Sequence, residues 1–172
     1  EMKGIATVTE ETGPTAGRIW LVAGFTGTGS MSSPDSLRVL YSTNNGTTWV
    51  AYASITLGGT DKINSGDIDA ELIEGGADKY LQIVYGLRAN GGAGKWFSAG
   101  ASIKLTGTFA GNTWILNFPG DDATKRYYSP RITSDNYIWP TSPWAYIAVS
   151  FDSTVSSSHI NTQKQVQFNN PN

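Results

Sequence analysis

The sequence predicts an all-β chain assembled from a repeated four-strand unit. Three observations carry that reading. No stretch keeps apolar residues at i, i+3, i+4 and i+7 over a helical length. Short β-branched and aromatic runs alternate with clusters of Gly, Asn, Ser, Thr and Pro. The runs also recur. Ile19-Trp20-Leu21-Val22-Ala23-Gly24-Phe25, Lys79-Tyr80-Leu81-Gln82-Ile83-Val84-Tyr85 and Ala145-Tyr146-Ile147-Ala148-Val149-Ser150-Phe151 each open on an aromatic–aliphatic pair and close on an aromatic. The intervals from Trp20 to Tyr80 and from Tyr80 to Tyr146 are nearly equal. A second marker, Gly46-Thr47-Thr48-Trp49, returns as Gly111-Asn112-Thr113-Trp114 after almost the same interval.

Laid out in order, the first unit (1–60) places strands at 4–11, 18–26, 36–42 and 48–55. The second (61–125) places them at 67–74, 79–88, 95–103 and 113–118. The third (126–172) places them at 129–134, 144–152 and 163–168. The second strand of each unit is apolar on both faces, as a strand between stacked sheets must be. The first strand of the second unit alternates, with Ile68, Ala70 and Leu72 on one face and Asp67, Asp69 and Glu71 on the other. Val166-Gln167-Phe168 aligns with Val39-Leu40-Tyr41, so the third unit is expected to lack its fourth strand.

Residues 42–49 read Ser42-Thr43-Asn44-Asn45-Gly46-Thr47-Thr48-Trp49. This octapeptide resembles the Asp-box of sialidases and related β-propellers, Ser-x-Asp-x-Gly-x-Thr-Trp, with Asn44 in place of the usual Asp. The resemblance implies a partial β-propeller of about two and three-quarter four-stranded blades, where closure takes roughly four to eight. The alternative is a β-sandwich similar to a carbohydrate-binding module; the regular recurrence of both markers favours the propeller. The motif is a folding device that joins the third and fourth strands of a blade. Ser42 and Asn44 are expected to bind backbone N–H groups, Gly46 to take a positive φ, Thr48 to complete the turn and Trp49 to be buried beneath it.

Sialidases also use an arginine triad, a Tyr–Glu pair and an Asp at the propeller axis. The arginines here are Arg18, Arg38, Arg88, Arg126 and Arg131. The family's Arg-Ile-Pro signature is absent, and Pro130-Arg131-Ile132 holds those residue types in another order. No catalytic residue, metal ligand or cofactor is therefore assigned. The resemblance implies a non-catalytic, exported propeller segment that serves as a binding or assembly scaffold for carbohydrate or protein. The alternative is a fragment of a sialidase-like glycoside hydrolase with catalytic residues in other blades. The remaining blades of the same polypeptide, or other copies of the chain, are the expected partners, and the chain is not expected to work as a free monomer.

Composition narrows the function classes. Charged residues make up 15% of the 172, against about 25% in an average globular protein. Ser, Thr, Asn and Gly must carry much of the surface, which fits a secreted or cell-surface protein. The formal net charge is −2 and there is no Lys/Arg run, which disfavours nucleic acid as a partner. No segment approaches the ~18 apolar residues of a membrane span. Cysteine is absent, which rules out disulfides and thiolate metal sites. The chain opens on Glu1 rather than Met, which suggests a processed or excised product.

Among other candidates, Tyr137-Ile138-Trp139-Pro140-Thr141-Ser142-Pro143-Trp144 groups aromatic rings with prolines. Tyr137, Trp139 and Trp144 form a candidate platform for a sugar ring or protein partner, or pack against an adjacent blade. Asp67, Asp69 and Glu71 form a carboxylate stripe, read as a solvated face or cross-strand partners for Lys and Arg, with a hard-cation site or an acid/base pair as the functional alternative. Asn45-Gly46-Thr47 matches a glycosylation sequon within the turn. His159 is the only histidine, which argues against zinc or a Ser–His triad. Residues 153–158 read as a polar hairpin loop.

Overall fold

The computed structural model describes residues 1–27, 34–74, 79–88, 96–105, 110–116, 125–134, 144–153 and 156–167. Among these, all regular structure is β. The first sheet holds β1 (Met2–Thr9), β2 (Ile19–Phe25), β3 (Ser36–Ser42) and β4 (Val50–Thr56). The second holds β5 (Lys62–Ile73), β6 (Tyr80–Arg88), β7 (Trp96–Lys104) and β8 (Ala110–Leu116). The third holds β9 (Lys125–Ser134), β10 (Trp144–Ser153) and β11 (Ser156–Gln167). Every neighbouring pair is antiparallel, and each sheet runs in chain order.

Trp20, Tyr80 and Tyr146 therefore lie on the second strands of three different sheets. The strand bounds differ where turn-like residues hide strand. β5 starts at Lys62 because Lys62 and Ile63 pair with Arg88 and Leu87 before an irregular register resumes at Ile68. Asn64-Ser65-Gly66, which reads as punctuation, lies inside that strand. Ser153 and residues 156–158 are strand, and Ser153 pairs with Ser156. Lacking the Ser and Asn that precede Gly46, the second marker reads as an altered turn, but Gly111–Trp114 lies within β8, opposite residues 103 to 100 of β7.

Packing follows the alternation. Trp20 and Val22 from β2 and Leu37 and Val39 from β3 point at the second sheet, where Ile63, Ile68 and Leu72 of β5 and Leu81, Ile83 and Tyr85 of β6 complete one core. β6 is buried on both faces from Tyr80 to Leu87, as expected of a strand between sheets. β1 lies against β5, while β9 lies across β5, β6 and β7. Gly24 is required by this approach. A Cβ there would meet Ile68 Cδ1 at 2.6 Å and Ile63 Cδ1 at 3.1 Å. Toward the turn end of the first sheet, Trp20, Tyr41 and Tyr52 fill the space with ring centroids 5.0 to 6.4 Å apart. No helix among the described residues is long and apolar enough to cross a membrane.

Candidate functional site

The β3–β4 turn is built from side chains that replace water on backbone groups. Ser42 is buried, and its Oγ accepts the N–H of Gly46 at 2.9 Å and of Asn44 at 3.3 Å. The same hydroxyl donates to Asn44 Oδ1 at 2.9 Å. Asn44 Oδ1 also accepts the Thr48 N–H at 2.9 Å, and Asn44 Nδ2 donates to Thr48 Oγ1 at 2.9 Å. The last bond explains why asparagine serves here: a carboxylate could accept from Thr48 but could not donate to it. Asn45 at φ 54° and Gly46 at φ 80° carry the signs of a type I′ turn, closed by Thr47 N–H to Asn44 O at 3.2 Å.

The expected burial of Trp49 does not hold. Trp49 is 37% exposed. Its indole lies over the turn glycine, with Cζ2 at 3.5 Å from where a Gly46 Cβ would stand. The residue precedes β4, which ends its sheet among the described strands. The polar groups of Ser42 and Asn44 are spent within the turn, which leaves them a structural task.

Two buried carboxylates lie elsewhere, at the two ends of the seam between the first and second sheets. At the turn end, Glu10 is 2% exposed. Its carboxylate accepts Trp20 Nε1–H at 2.7 Å and the Thr15 hydroxyl, and meets Lys79 Nζ at 3.2 Å and Arg18 Nη1 at 3.7 Å. Lys79 directly precedes β6 of the second sheet and also donates to Glu74 Oε1 at 2.9 Å and Thr12 O at 2.6 Å. Burial alone would lower the Lys79 pKa. The hydrogen bonds to Glu74 and Glu10, with the charges of both, outweigh it and raise the value above 10.5. Arg18 further stacks over Tyr41 at 4.8 Å and Trp20 at 5.6 Å.

At the opposite end Asp35 is fully buried. Its oxygens accept the N–H of Gly27 at 3.1 Å and of Ile63 at 2.8 Å, and Lys62 Nζ stands 3.4 Å away. Each end of the seam thus sets a carboxylate next to a strand of the first sheet against a lysine in, or directly before, a strand of the second. Sequence reasoning missed both. The signal was present for one: Glu10 and Glu74 each directly follow the first strand of their sheet, at equivalent places in successive repeats.

The carboxylate stripe on β5 is not a solvated face. Asp67 is buried, and Asp69 and Glu71 are half-buried. Asp69 Oδ2 accepts the Ile132 N–H of β9 at 3.1 Å, which ties the second sheet to the third. The face that alternation marks as polar is covered by another sheet. Arg131 of β9 is exposed and folds back on Pro130 O at 2.8 Å. Tyr137 and Trp139 lie outside the described residues, whereas Trp144 opens β10 opposite Gln167. Among the described residues, no group of three or more His, Cys, Asp and Glu is arranged to hold a metal ion. A shallow groove of about 530 Å³ runs along β3 and β4, past Arg38, Leu40, Ala51 and Ser54.

No protein-family model matches the chain, and no curated protein or solved structure is significantly similar to it.

Proposed function

We propose that this chain is a non-catalytic, exported β-propeller segment that acts as an assembly and binding scaffold. The observation that carries the reading is where its buried charge is spent. Glu10 with Lys79, Asp35 with Lys62, and the Asp69 carboxylate on a β9 N–H each join one sheet to the next. Buried charges are costly unless paired, and here the pairs fix how sheets stack. A blade-like arrangement of the first two sheets is supported by the close approach of β1 to β5, with Trp20, Tyr41 and Tyr52 filling the space toward the outer strands. The side-chain bonding of the 42–49 turn agrees with the Asp-box resemblance, and the exposure of Trp49 departs from it.

One observation favours a second reading of the architecture. β9 spreads across β5, β6 and β7 rather than following β5 alone, as in a sandwich of crossed sheets. The scaffold function is compatible with either packing. Sedimentation of the chain with a parallel panel of fluorogenic glycosides tests the proposal. The expected result is self-association without turnover. Hydrolysis of a glycoside would overturn the non-catalytic reading, and a monomer throughout the micromolar range would overturn assembly.

A further inference from the structure

We propose that Asn45 is a latent self-modification site, a side-chain amide that its own chain converts to aspartate and isoaspartate, and that the Ser42 hydroxyl holds it shut. Asn45-Gly46 stands at the centre of the β3–β4 turn, and Asn45 is exposed. An asparagine followed by glycine is open to attack by the next backbone nitrogen, because glycine has no Cβ to crowd the approach. The Gly46 amide nitrogen loses its proton and bonds to Asn45 Cγ. The Cγ–Nδ2 bond breaks, and ammonia leaves with that proton. Water then opens the five-membered imide. Cleavage between nitrogen and Cγ gives aspartate. Cleavage between nitrogen and the main-chain carbonyl gives isoaspartate, with the chain routed through Cβ and Cγ. Water is the only co-reactant.

The turn opposes this attack twice. The first central residue of a type I′ turn has ψ of about +30°, where the following nitrogen stands nearly opposite Cβ rather than beside it. Asn45 occupies that position at φ 54°, and Thr47 N–H to Asn44 O at 3.2 Å holds it there. Reaching Cγ means rotating the Asn45 Cα–C bond through nearly a half-turn. That rotation carries the Gly46 N–H away from Ser42 Oγ, which accepts it at 2.9 Å. Ser42 is buried, and its hydroxyl also accepts the Asn44 N–H at 3.3 Å and donates to Asn44 Oδ1 at 2.9 Å, so it is not free to follow. Asn44 is spared the reaction. Its Oδ1 and Nδ2 are both engaged with Thr48, and the residue after it carries a side chain. Asn45 therefore reacts only when the turn opens. Isoaspartate lengthens the backbone path within the turn, so the original turn cannot close again and one opening leaves a permanent mark.

Peptide mapping by mass spectrometry, with enzymatic methylation of isoaspartate, tests this on the full chain in mildly alkaline buffer with and without urea. In urea Asn45 should convert together with Asn90-Gly91, the other Asn–Gly pair of the chain. In native buffer Asn45 should convert far more slowly. Ser42→Ala should raise the native rate by roughly tenfold, the factor that loss of about one hydrogen bond gives on turn opening. Ser42→Thr keeps the hydroxyl and should hold the wild-type rate. Gly24→Ala disturbs the sheet packing away from the turn and should also leave the rate near wild type. Native conversion as fast as in urea overturns the protection. A folded S42A at the wild-type rate overturns the part given to Ser42. Equal acceleration by G24A assigns the reaction to global unfolding and overturns the turn as its gate. Should S42A not fold, native against denatured wild type, and S42T, still decide.

Discussion

Replacing Lys79 with methionine should cost more than any surface substitution in the chain. The change keeps most of the side-chain length and removes the ammonium. Glu10, 2% exposed, and Glu74 would then face each other without the cation between them. Removing one partner of a buried ion pair costs about 3–5 kcal/mol, because the remaining charge stays buried and uncompensated. The low end applies here. Trp20 Nε1 and Thr15 Oγ still donate to Glu10, and Arg18 is still 3.7 Å away. A loss of about 3 kcal/mol corresponds to a fall in Tm of about 6–12 °C for a chain of this size. Urea unfolding followed by far-UV circular dichroism measures the loss, and calorimetry measures the shift. The double variant Glu10→Gln with Lys79→Met should recover part of it, since a neutral amide still accepts from Trp20 and Thr15 without a buried charge. A cost below about 1 kcal/mol for K79M is what an exposed pair gives, and would refute the claim that this cluster locks the seam.

Three further outcomes follow from local geometry. Asn44→Ala should destabilise by about 1–2 kcal/mol, since it strips the acceptor for Thr48 N–H and the donor to Thr48 Oγ1, whereas half-exposed Trp49→Ala should fall short of the ~3–5 kcal/mol of a buried aromatic; denaturation midpoints check both. Gly24→Ala should cost about 1–3 kcal/mol, because its Cβ would collide with Ile68 Cδ1, and Ile68→Val in the same chain should relieve part of the loss in a thermal melt. Stability should decline in alkali. The pKa values of Lys79 and of Tyr85, whose phenol is raised chiefly by burial and then by Asp61, lie above the unfolded values of 10.5 and 10.0. Groups raised in this way contribute fully below those pH values and lose their contribution as pH climbs through the folded values. Tyr85→Phe should flatten the decline in urea titrations above pH 10.

The strands were legible because alternation and punctuation are local. All eleven predicted strands overlap strands of the structure, and the apolar run from Tyr80 to Leu87 announced a strand buried on both faces. Misplaced bounds arose where polar residues continue a strand, as at Asn64-Ser65-Gly66 in β5 and at Ser156 in β11. The turn's hydrogen bonds could be read from residue types, because Ser42 and Asn44 find all their partners within the turn itself. The fate of Trp49 could not, since it depends on whether anything lies beyond β4. The locks were illegible for the same reason. Glu10 and Glu11 are neighbours, and what buries the first is Lys79, far along the chain on another sheet. The Asp67–Asp69–Glu71 stripe looked solvated because alternation marks two faces and cannot say that a later sheet will cover the polar one.

The proposed propeller would stack successive sheets as blades, closest at their first strands and further apart at their outer ones. Paired spin labels measure this directly, since the chain has no cysteine of its own. One pair of introduced cysteines, at Thr9 of β1 and Glu71 of β5, reports the first strands. A second pair, at Thr56 of β4 and Leu116 of β8, reports the outer ones. Blade-like stacking predicts a clearly longer distance for the outer pair. Equal distances, as in sheets packed face to face at a uniform ~10 Å, would contradict it and leave the sandwich.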